Sequence, residues 1–165
     1  MKLKVTLVER FEQSWREWND ALAGPDDADY ELPVYRQWRL KDIVGHVFSY
    51  VHLDVRHVES YKKRRRLASP RSPSYSYFNR REAARLRDVP REQLCSDLEA
   101  DYRKLMELLP TLTDDDLKRV FPSQWSNSQY RSTLRGLLRE EASHIAIHAG
   151  DIRKWREQRK GEHVS

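Results

Sequence analysis

The chain has 165 residues, a length typical of one hydrophobic core, so we expect a single domain over residues 1–165. Its 31 Lys and Arg residues against 26 Asp and Glu residues leave a net charge of +5, too mild an excess to indicate a dedicated nucleic-acid binder. The single cysteine, Cys95, excludes an internal disulfide and a multi-cysteine zinc site.

The compartment follows from the same features. One cysteine fits a reducing compartment. The N-terminal segment becomes charged before any apolar stretch could form a signal peptide, and no run of ~18 apolar residues occurs that could span a membrane. We therefore expect a cytoplasmic protein with no membrane association.

The first two predicted helices are recognised by apolar residues at three-and-four spacing. The first carries Leu7, Val8, Phe11, Trp15, Trp18 and Leu22 and stops at Gly24-Pro25. The second runs from Leu40 to about Arg66 and carries Ile43, Val47, Tyr50, Asp54, Val58 and Tyr61. It ends in the basic run Lys62-Lys-Arg-Arg-Arg66.

The rest of the chain is also predicted to be helical. Residues 68–77, rich in serine and proline, form a connection, and a short helix is expected at Arg80–Leu86. Pro90 suits the first position of a third long helix that carries Leu94, Leu98, Tyr102, Leu105 and Leu109. Thr113 caps a brief turn, and a last helix is expected from Gln129 to Gln158.

No segment shows the strict alternation of a half-buried strand over a useful length. The prediction is an all-α four-helix bundle, with a long crossover between the second and third long helices.

Two histidines of the last helix indicate a metal site. His144 and His148 are four residues apart, so they sit about 40° apart around the helix and ~6 Å apart along it, and both imidazoles can point at one ion. The apolar stripe of this helix is Leu134, Leu138, Glu141, Ile145, His148, Ile152 and Trp155. A buried imidazole on that stripe needs partners for both nitrogens, which a metal and an acceptor would supply.

A third ligand has to come from another helix. His46 on the second helix is flanked by Ile43, Val47 and Tyr50, which turn it inward. His52 lies well round the helix, and His57 is roughly 16 Å further along the axis. We therefore interpret His57 as a solvated end residue or a cavity-lining residue, and we favour the solvated end residue. His46, His144 and His148 then form a facial set with an open coordination position.

The histidine segments resemble those of a known superfamily. Residues 38–47, WRLKDIVGHV, are similar to the start of the second helix in DinB-like proteins, and residues 144–155, HIAIHAGDIRKW, are similar to their last helix. Tyr77-Phe-Asn79 and the segment around Trp125 resemble the ClbS/DfsB branch most closely. The resemblance implies an up-down-down-up four-helix bundle with a metal bound by His46, His144 and His148.

The resemblance also implies a range of activities. DinB-like proteins include thiol-dependent transferases and maleylpyruvate isomerases, and the ClbS branch includes hydrolytic detoxification of a reactive electrophile. Some ClbS-like members lack the histidines, so the triad places this chain nearer the metal-binding members. The function it implies is metal-dependent transfer of a thiol, or hydrolysis, acting on a small electrophilic substrate.

Other residues near the triad have two interpretations each. Glu141, the predicted catalytic residue, could hold a ligand imidazole or act as a base, and Asp151 could support His148 or lie in solvent. Asp42 fits a first-turn carboxylate favoured by the helix dipole. Cys95 fits a small buried residue, and Tyr50 could line the pocket.

The cofactors expected are a divalent ion, with zinc, nickel, cobalt and iron all suited to three imidazoles, and a low-molecular-weight thiol. The expected partner is a small-molecule substrate, no specific nucleic acid is expected, and a homodimer stays open. One alternative is a metal-free bundle that uses the histidines as core polar groups or pocket walls. Another is a nucleic-acid contact through a basic patch formed by the run 62–66, Arg71 and Arg80-Arg81.

Overall fold

The computed structural model describes residues 2–162. Within that range the chain forms six helices and two short hairpins. The helices are α1 (Lys2–Leu22), α2 (Leu40–Arg64), α3 (Tyr75–Leu86), α4 (Arg91–Leu108), α5 (Asp114–Lys118) and α6 (Leu134–Glu162). The strands are β1 (Pro33–Tyr35), β2 (Trp38–Arg39), β3 (Val120–Pro122) and β4 (Arg131–Thr133).

The four long helices build the predicted four-helix bundle. Helix α1 packs along α6, α2 packs along α4, and α2 also contacts α6. The long crossover between α2 and α4 contains α3. None of the helices within residues 2–162 is both long enough and apolar enough to cross a lipid bilayer.

The apolar stripes predicted from the sequence form the core. Every stripe residue of α6 is buried, including the two polar ones, Glu141 and His148. The α4 stripe is buried over its whole length, and Phe11 and Trp18 anchor α1 in the same cluster. Because Glu141 and His148 share a buried line with leucine and isoleucine, α6 carries polar groups into the bundle interior.

Helix ends follow local capping chemistry. Thr113 accepts a hydrogen bond from the Asp116 amide, and the Asp116 carboxylate accepts one from the Thr113 amide, a reciprocal cap that starts α5 as predicted. Asp42 accepts from the Arg39 amide at 3.0 Å, so its role at the start of α2 is structural. Helix α2 ends at Arg64, and Arg65, the residue that caps it, adopts a left-handed φ of 57°.

Several predicted boundaries are wrong. Helix α3 begins at Tyr75 rather than Arg80, because Ser74 caps it by accepting from the Tyr77 amide. Pro90 is the N-cap of α4 rather than its first helical residue. Helix α6 begins at Leu134 rather than Gln129, because residues 131–133 pair with residues 120–122 as a hairpin.

Neither hairpin was predicted. Each has strands of two or three residues, too short for alternation of polar and apolar residues to be visible in the sequence. The β1–β2 hairpin matters for the site because it delivers Tyr35 and Trp38 to the histidine cluster.

Candidate metal centre

The three predicted histidines meet inside the bundle. His46 comes from α2, and His144 and His148 come from successive turns of α6. Nε2 of His144 lies 2.8 Å from Nε2 of His46 and 3.0 Å from Nε2 of His148. One ligand atom from each residue lies within 4.8 Å of the other two. The bundle therefore converges three imidazole nitrogens on one point.

These separations fit a transition-metal ion. A metal–imidazole bond is about 2.0–2.1 Å long, so neighbouring ligand nitrogens around one ion stand roughly 3 Å apart. The two short separations measured from His144 match that spacing. Three imidazoles are also a donor set that zinc, iron, cobalt, copper and nickel accept.

The other ring nitrogens face acceptors. Nδ1 of His144 lies 3.2 Å from a carboxylate oxygen of Glu141, and Nδ1 of His148 lies 3.3 Å from the Asp151 carboxylate. When these carboxylates are ionised they can only accept, so each Nδ1 then carries the hydrogen and each Nε2 keeps its lone pair toward the point of convergence. This carboxylate–histidine arrangement is the usual support of metal-bound imidazoles.

Burial keeps the three imidazoles neutral. Burial, followed by repulsion from His144 and His148, lowers the pKa of His46 to about 2. Burial lowers the pKa of His144 to about 4, and burial together with repulsion from His144 lowers the pKa of His148 to about 4. At neutral pH all three rings are therefore neutral, and each has one nitrogen lone pair that can bind a cation.

Aromatic rings from three elements enclose His46 and its partners. Trp38 of the β1–β2 hairpin meets the His46 ring edge-on at 4.9 Å, and Tyr50 lies 5.1 Å from His46 and 5.0 Å from His144. The Tyr35 hydroxyl lies 3.3 Å from Nδ1 of His148. The prediction that Tyr50 could line the pocket agrees with this placement. Tyr35 and Trp38 were missed as site residues, although Trp38 stands in the segment WRLKDIVGHV.

Two buried carboxyl groups lie next to the cluster. Glu141 is 5% exposed and Asp54 of α2 is 4% exposed. Burial raises the pKa of Glu141, and burial followed by the charges of Glu141 and Glu140 raises the pKa of Asp54. A cation held by the histidines would favour the ionised form of Glu141, which then fixes the hydrogen on Nδ1 of His144.

Two cavities meet at His46. The first, of about 560 Å³, lies between α2, α3 and the β2 end of the hairpin. Its lining has more basic side chains, Arg39, Lys41, Arg80 and Arg87, than acidic ones, Asp42 and Glu82. The second, of about 410 Å³, lies between α2, α3, residues 124–125 and α6, and it also reaches His144. Small molecules can therefore approach the histidine cluster from two sides.

The structure contradicts the interpretation of His57 as a solvated end residue. His57 is fully buried, and its Nε2 lies 2.8 Å from the Gln124 amide oxygen. The side chain is enclosed because residues beyond the end of α2 fold back over that helix face. Burial lowers the pKa of His57 to about 4, so it is a neutral core residue rather than a ligand. His52, by contrast, is exposed and lies 2.7 Å from Asp101.

Asp151, Cys95 and the basic run 62–66 have supporting or packing roles rather than direct roles in metal binding. Asp151 supports His148 while its side chain stays 41% exposed. Cys95 is half-buried, and burial raises the pKa of its thiol, which agrees with a packing role. In the basic run, Lys62 donates to Thr111 and Arg65 pairs with Asp116, so part of that charge stabilises the end of α2.

The fold and the cluster together define a helical-bundle protein with three histidines that could bind a divalent metal ion. The chain belongs to the DinB-like family described as the mycothiol maleylpyruvate isomerase N-terminal domain, whose model matches residues 11–153. No curated protein matches the chain at a significant level.

Solved structures with the same fold share little sequence with this chain. An uncharacterised protein from Escherichia coli UTI89 matches with a TM-score of 0.75 and 15% identity, covering 95% of this chain and 94% of that one. A structure named Sibling Lethal Factor Precursor - DfsB matches with a TM-score of 0.75 and 14% identity over 94% and 96% of the chains.

YfiT from Bacillus subtilis matches with a TM-score of 0.69 and 18% identity, covering 95% of this chain and 87% of its own. It is described as a probable metal-dependent hydrolase with an unusual four-helix bundle topology. At these identities the three likenesses establish the fold alone.

Proposed function

We propose that the protein binds one divalent metal ion through His46, His144 and His148 and uses it to catalyse a reaction of a small electrophilic molecule. The observation that carries this proposal is the convergence of three Nε2 atoms, two of them 2.8 and 3.0 Å from the third. Carboxylates at Nδ1 of both α6 histidines support it, because they orient the lone pairs toward the same point.

Three protein ligands suit a catalytic rather than a structural ion, since catalytic sites keep a coordination position open. His46 lines both cavities, so a substrate or cofactor in either one lies beside the site. When bound, the ion supplies Lewis acidity, which lowers the pKa of a coordinated water or thiol toward neutrality. The chain's own residues orient the ligands and, through Trp38 and Tyr50, shield them from bulk water.

We place thiol transfer ahead of hydrolysis. The family that the chain belongs to is named for a mycothiol-dependent isomerase. The cavity with Lys41, Arg80 and Arg87 offers cations to the carboxylates of a thiol such as glutathione, a feature that mycothiol lacks. Hydrolysis is the second candidate because YfiT, with the same fold, is described as a probable metal-dependent hydrolase. The ClbS/DfsB branch and a cytoplasmic location both remain proposals, the first resting on the DfsB likeness and the second on the single cysteine.

An epoxide distinguishes the two reactions. Styrene oxide opens to a thioether when a thiol attacks and to a diol when water attacks, so product masses report the nucleophile. With metal-loaded protein and mycothiol or glutathione we expect the thioether to form faster than without protein. Diol formation that needs protein and metal but no thiol would favour the hydrolase. Absence of any protein-dependent product across a panel of electrophiles would contradict an enzyme of this class.

Glu141 is proposed to act through His144 as a positioning residue rather than as a base. Its carboxylate faces Nδ1, on the side of the ring away from the converging nitrogens. For Glu141→Gln we expect metal affinity to fall by about 10–100-fold, as on removal of other charged outer partners of ligand histidines. Competition with a chelating dye measures the change.

Glu140→Gln is the matched control for that experiment. It makes the same substitution one residue away, at an exposed position, and should leave metal affinity unchanged. Equal affinities for the wild type and Glu141→Gln would show that the carboxylate does not support the metal ligand.

A further inference from the structure

The second cavity is acidic, whereas the first is basic. Asp54, Glu140 and Glu141 line it, and no lysine or arginine is among its lining residues in the described chain. Only His46 and Asn79 line both cavities. The two spaces beside the histidine cluster therefore offer opposite charge to a ligand.

Asp54 carries an acceptor that no described residue satisfies. Its Oδ2 atom is buried and has no hydrogen-bond partner, although the side chain borders the cavity. Leaving such an oxygen unpaired in a low-dielectric interior is unfavourable, and burial with the charges of Glu141 and Glu140 raises the pKa of Asp54. An ammonium group in the cavity would stabilise the ionised carboxylate, and one that carries an N–H would also satisfy Oδ2.

Aromatic rings complete the wall of this cavity. Tyr50, Tyr75 and Trp125 line it together with the carboxyl groups. The face of an aromatic ring attracts a cation within about 6 Å of its centre, and carboxylates combined with such rings are suited to ammonium groups. The acidic charge of the cavity and its aromatic lining therefore both favour a ligand that carries an ammonium group.

We propose that the cavity lined by Asp54, Glu140, Tyr50 and Trp125 binds an organic cation, namely an ammonium-bearing small molecule or the ammonium end of a larger substrate. Asp54 supplies the buried acceptor, and Glu140 supplies charge at the exposed side. The inference extends the proposed function by giving the substrate a positive charge. It depends on the cavity and does not require the metal.

Choline and 3,3-dimethylbutan-1-ol test this inference as a pair of probes. They have nearly the same shape, but only choline is charged, and a quaternary ammonium has no lone pair with which to bind a metal. Calorimetric titration of both is expected to show choline binding about 10-fold more tightly or better, the range that cation–π contacts give a partly desolvated quaternary ammonium. Equal affinity for the two probes would overturn the proposal.

Substitutions locate the binding. Asp54→Asn should weaken choline binding by about 10-fold and leave 3,3-dimethylbutan-1-ol unchanged. Asp101→Asn, an equal loss of charge outside the cavity, should leave both unchanged. If Asp54→Asn fails to fold, Glu140→Gln serves instead, with a loss of a few-fold expected for its more exposed carboxylate. Choline affinity that is unaffected by the cavity variant tested, or equally affected by Asp101→Asn, would contradict the proposed site.

The titrations are run on both metal-loaded and metal-stripped protein. Choline binding that persists without metal supports the cavity independently of the proposed metal chemistry. If metal is absent from the native protein while choline binds as expected, the proposed function fails and the cation site stands. If the native protein contains the metal but does not bind choline, the proposed metal site stands and the proposed cation site is wrong.

Discussion

Replacing His144 by alanine is expected to abolish specific metal binding. Nε2 of His144 is the atom closest to both of the other ligand nitrogens, so its loss leaves His46 and His148 as an incomplete pair. Loss of an outer partner of a metal-binding histidine costs about 10–100-fold in affinity, and loss of the ligand itself should exceed that range. Calorimetric titration with zinc and with nickel measures the effect, and epoxide opening should be lost with the metal.

His52→Ala is the matched control for this change. His52 lies on α2 like His46, but it is exposed and paired with Asp101, away from the cluster. We expect unaltered metal affinity for His52→Ala. Both variants should give the far-ultraviolet circular dichroism spectrum of the wild type. Retention of full metal affinity by His144→Ala would show that the observed binding lies elsewhere on the chain.

The metal-stripped protein is expected to lose stability steeply on acidification below pH 6.5. The pKa of His144, His148 and His57 is lowered to about 4 by burial, and that of His46 to about 2. In the unfolded chain each ring titrates near 6.5, so between pH 6.5 and 4 the unfolded state binds protons that the folded state does not. Each such ring lowers the free energy of unfolding by up to about 3 kcal/mol over that interval.

The two buried carboxyl groups oppose this trend without cancelling it. Burial raises the pKa of Asp54 and of Glu141, so in the same interval the folded state holds protons on them that the unfolded state lacks. Because four histidines oppose two carboxyl groups, the free energy of unfolding is expected to fall by at least about 1 kcal/mol for each pH unit of acidification. Denaturant unfolding at several pH values measures it. A free energy of unfolding that stays constant or rises from pH 6.5 to 4.5 would contradict the neutral state of these histidines in the folded protein.

Much of the site could be predicted from local sequence pattern. His148 and Glu141 stand on a helical stripe otherwise made of leucine, isoleucine and tryptophan, and such residues have to be buried when the stripe packs. His144 follows from its spacing to His148. The placement of His46 rested on its apolar neighbours in α2 and on the DinB-like resemblance, and the structure brings it to the same point.

The parts that could not be predicted depend on contacts between distant segments. Tyr35 and Trp38 reach the histidines only because residues 33–39 fold as a hairpin beside α6, and its strands are too short to show a period. His57 is buried by Gln124, which lies 67 residues further along the chain. Helical spacing identifies the face on which His57 lies, but it does not reveal what covers that face.

Asp54 did leave a signal in the sequence. It lies on the apolar stripe of α2 between Tyr50 and Val58, just as Glu141 lies on the stripe of α6. A carboxylate in that position predicts a buried acidic group, and the structure places both beside the same cavity. What the stripe does not predict is that Oδ2 of Asp54 has no partner, because that depends on the shape of the packed cavity.

The most direct test of the central claim is the metal content of the native protein, purified without a polyhistidine tag and analysed by inductively coupled plasma mass spectrometry beside His148→Ala. Nε2 of His148 is one of the three converging atoms, and the ring is buried on the α6 stripe. The account predicts close to one divalent transition-metal ion per chain in the native protein and almost none in the variant. Substoichiometric metal that is the same in both proteins would contradict it and would favour a metal-free bundle whose histidines line a small-molecule pocket.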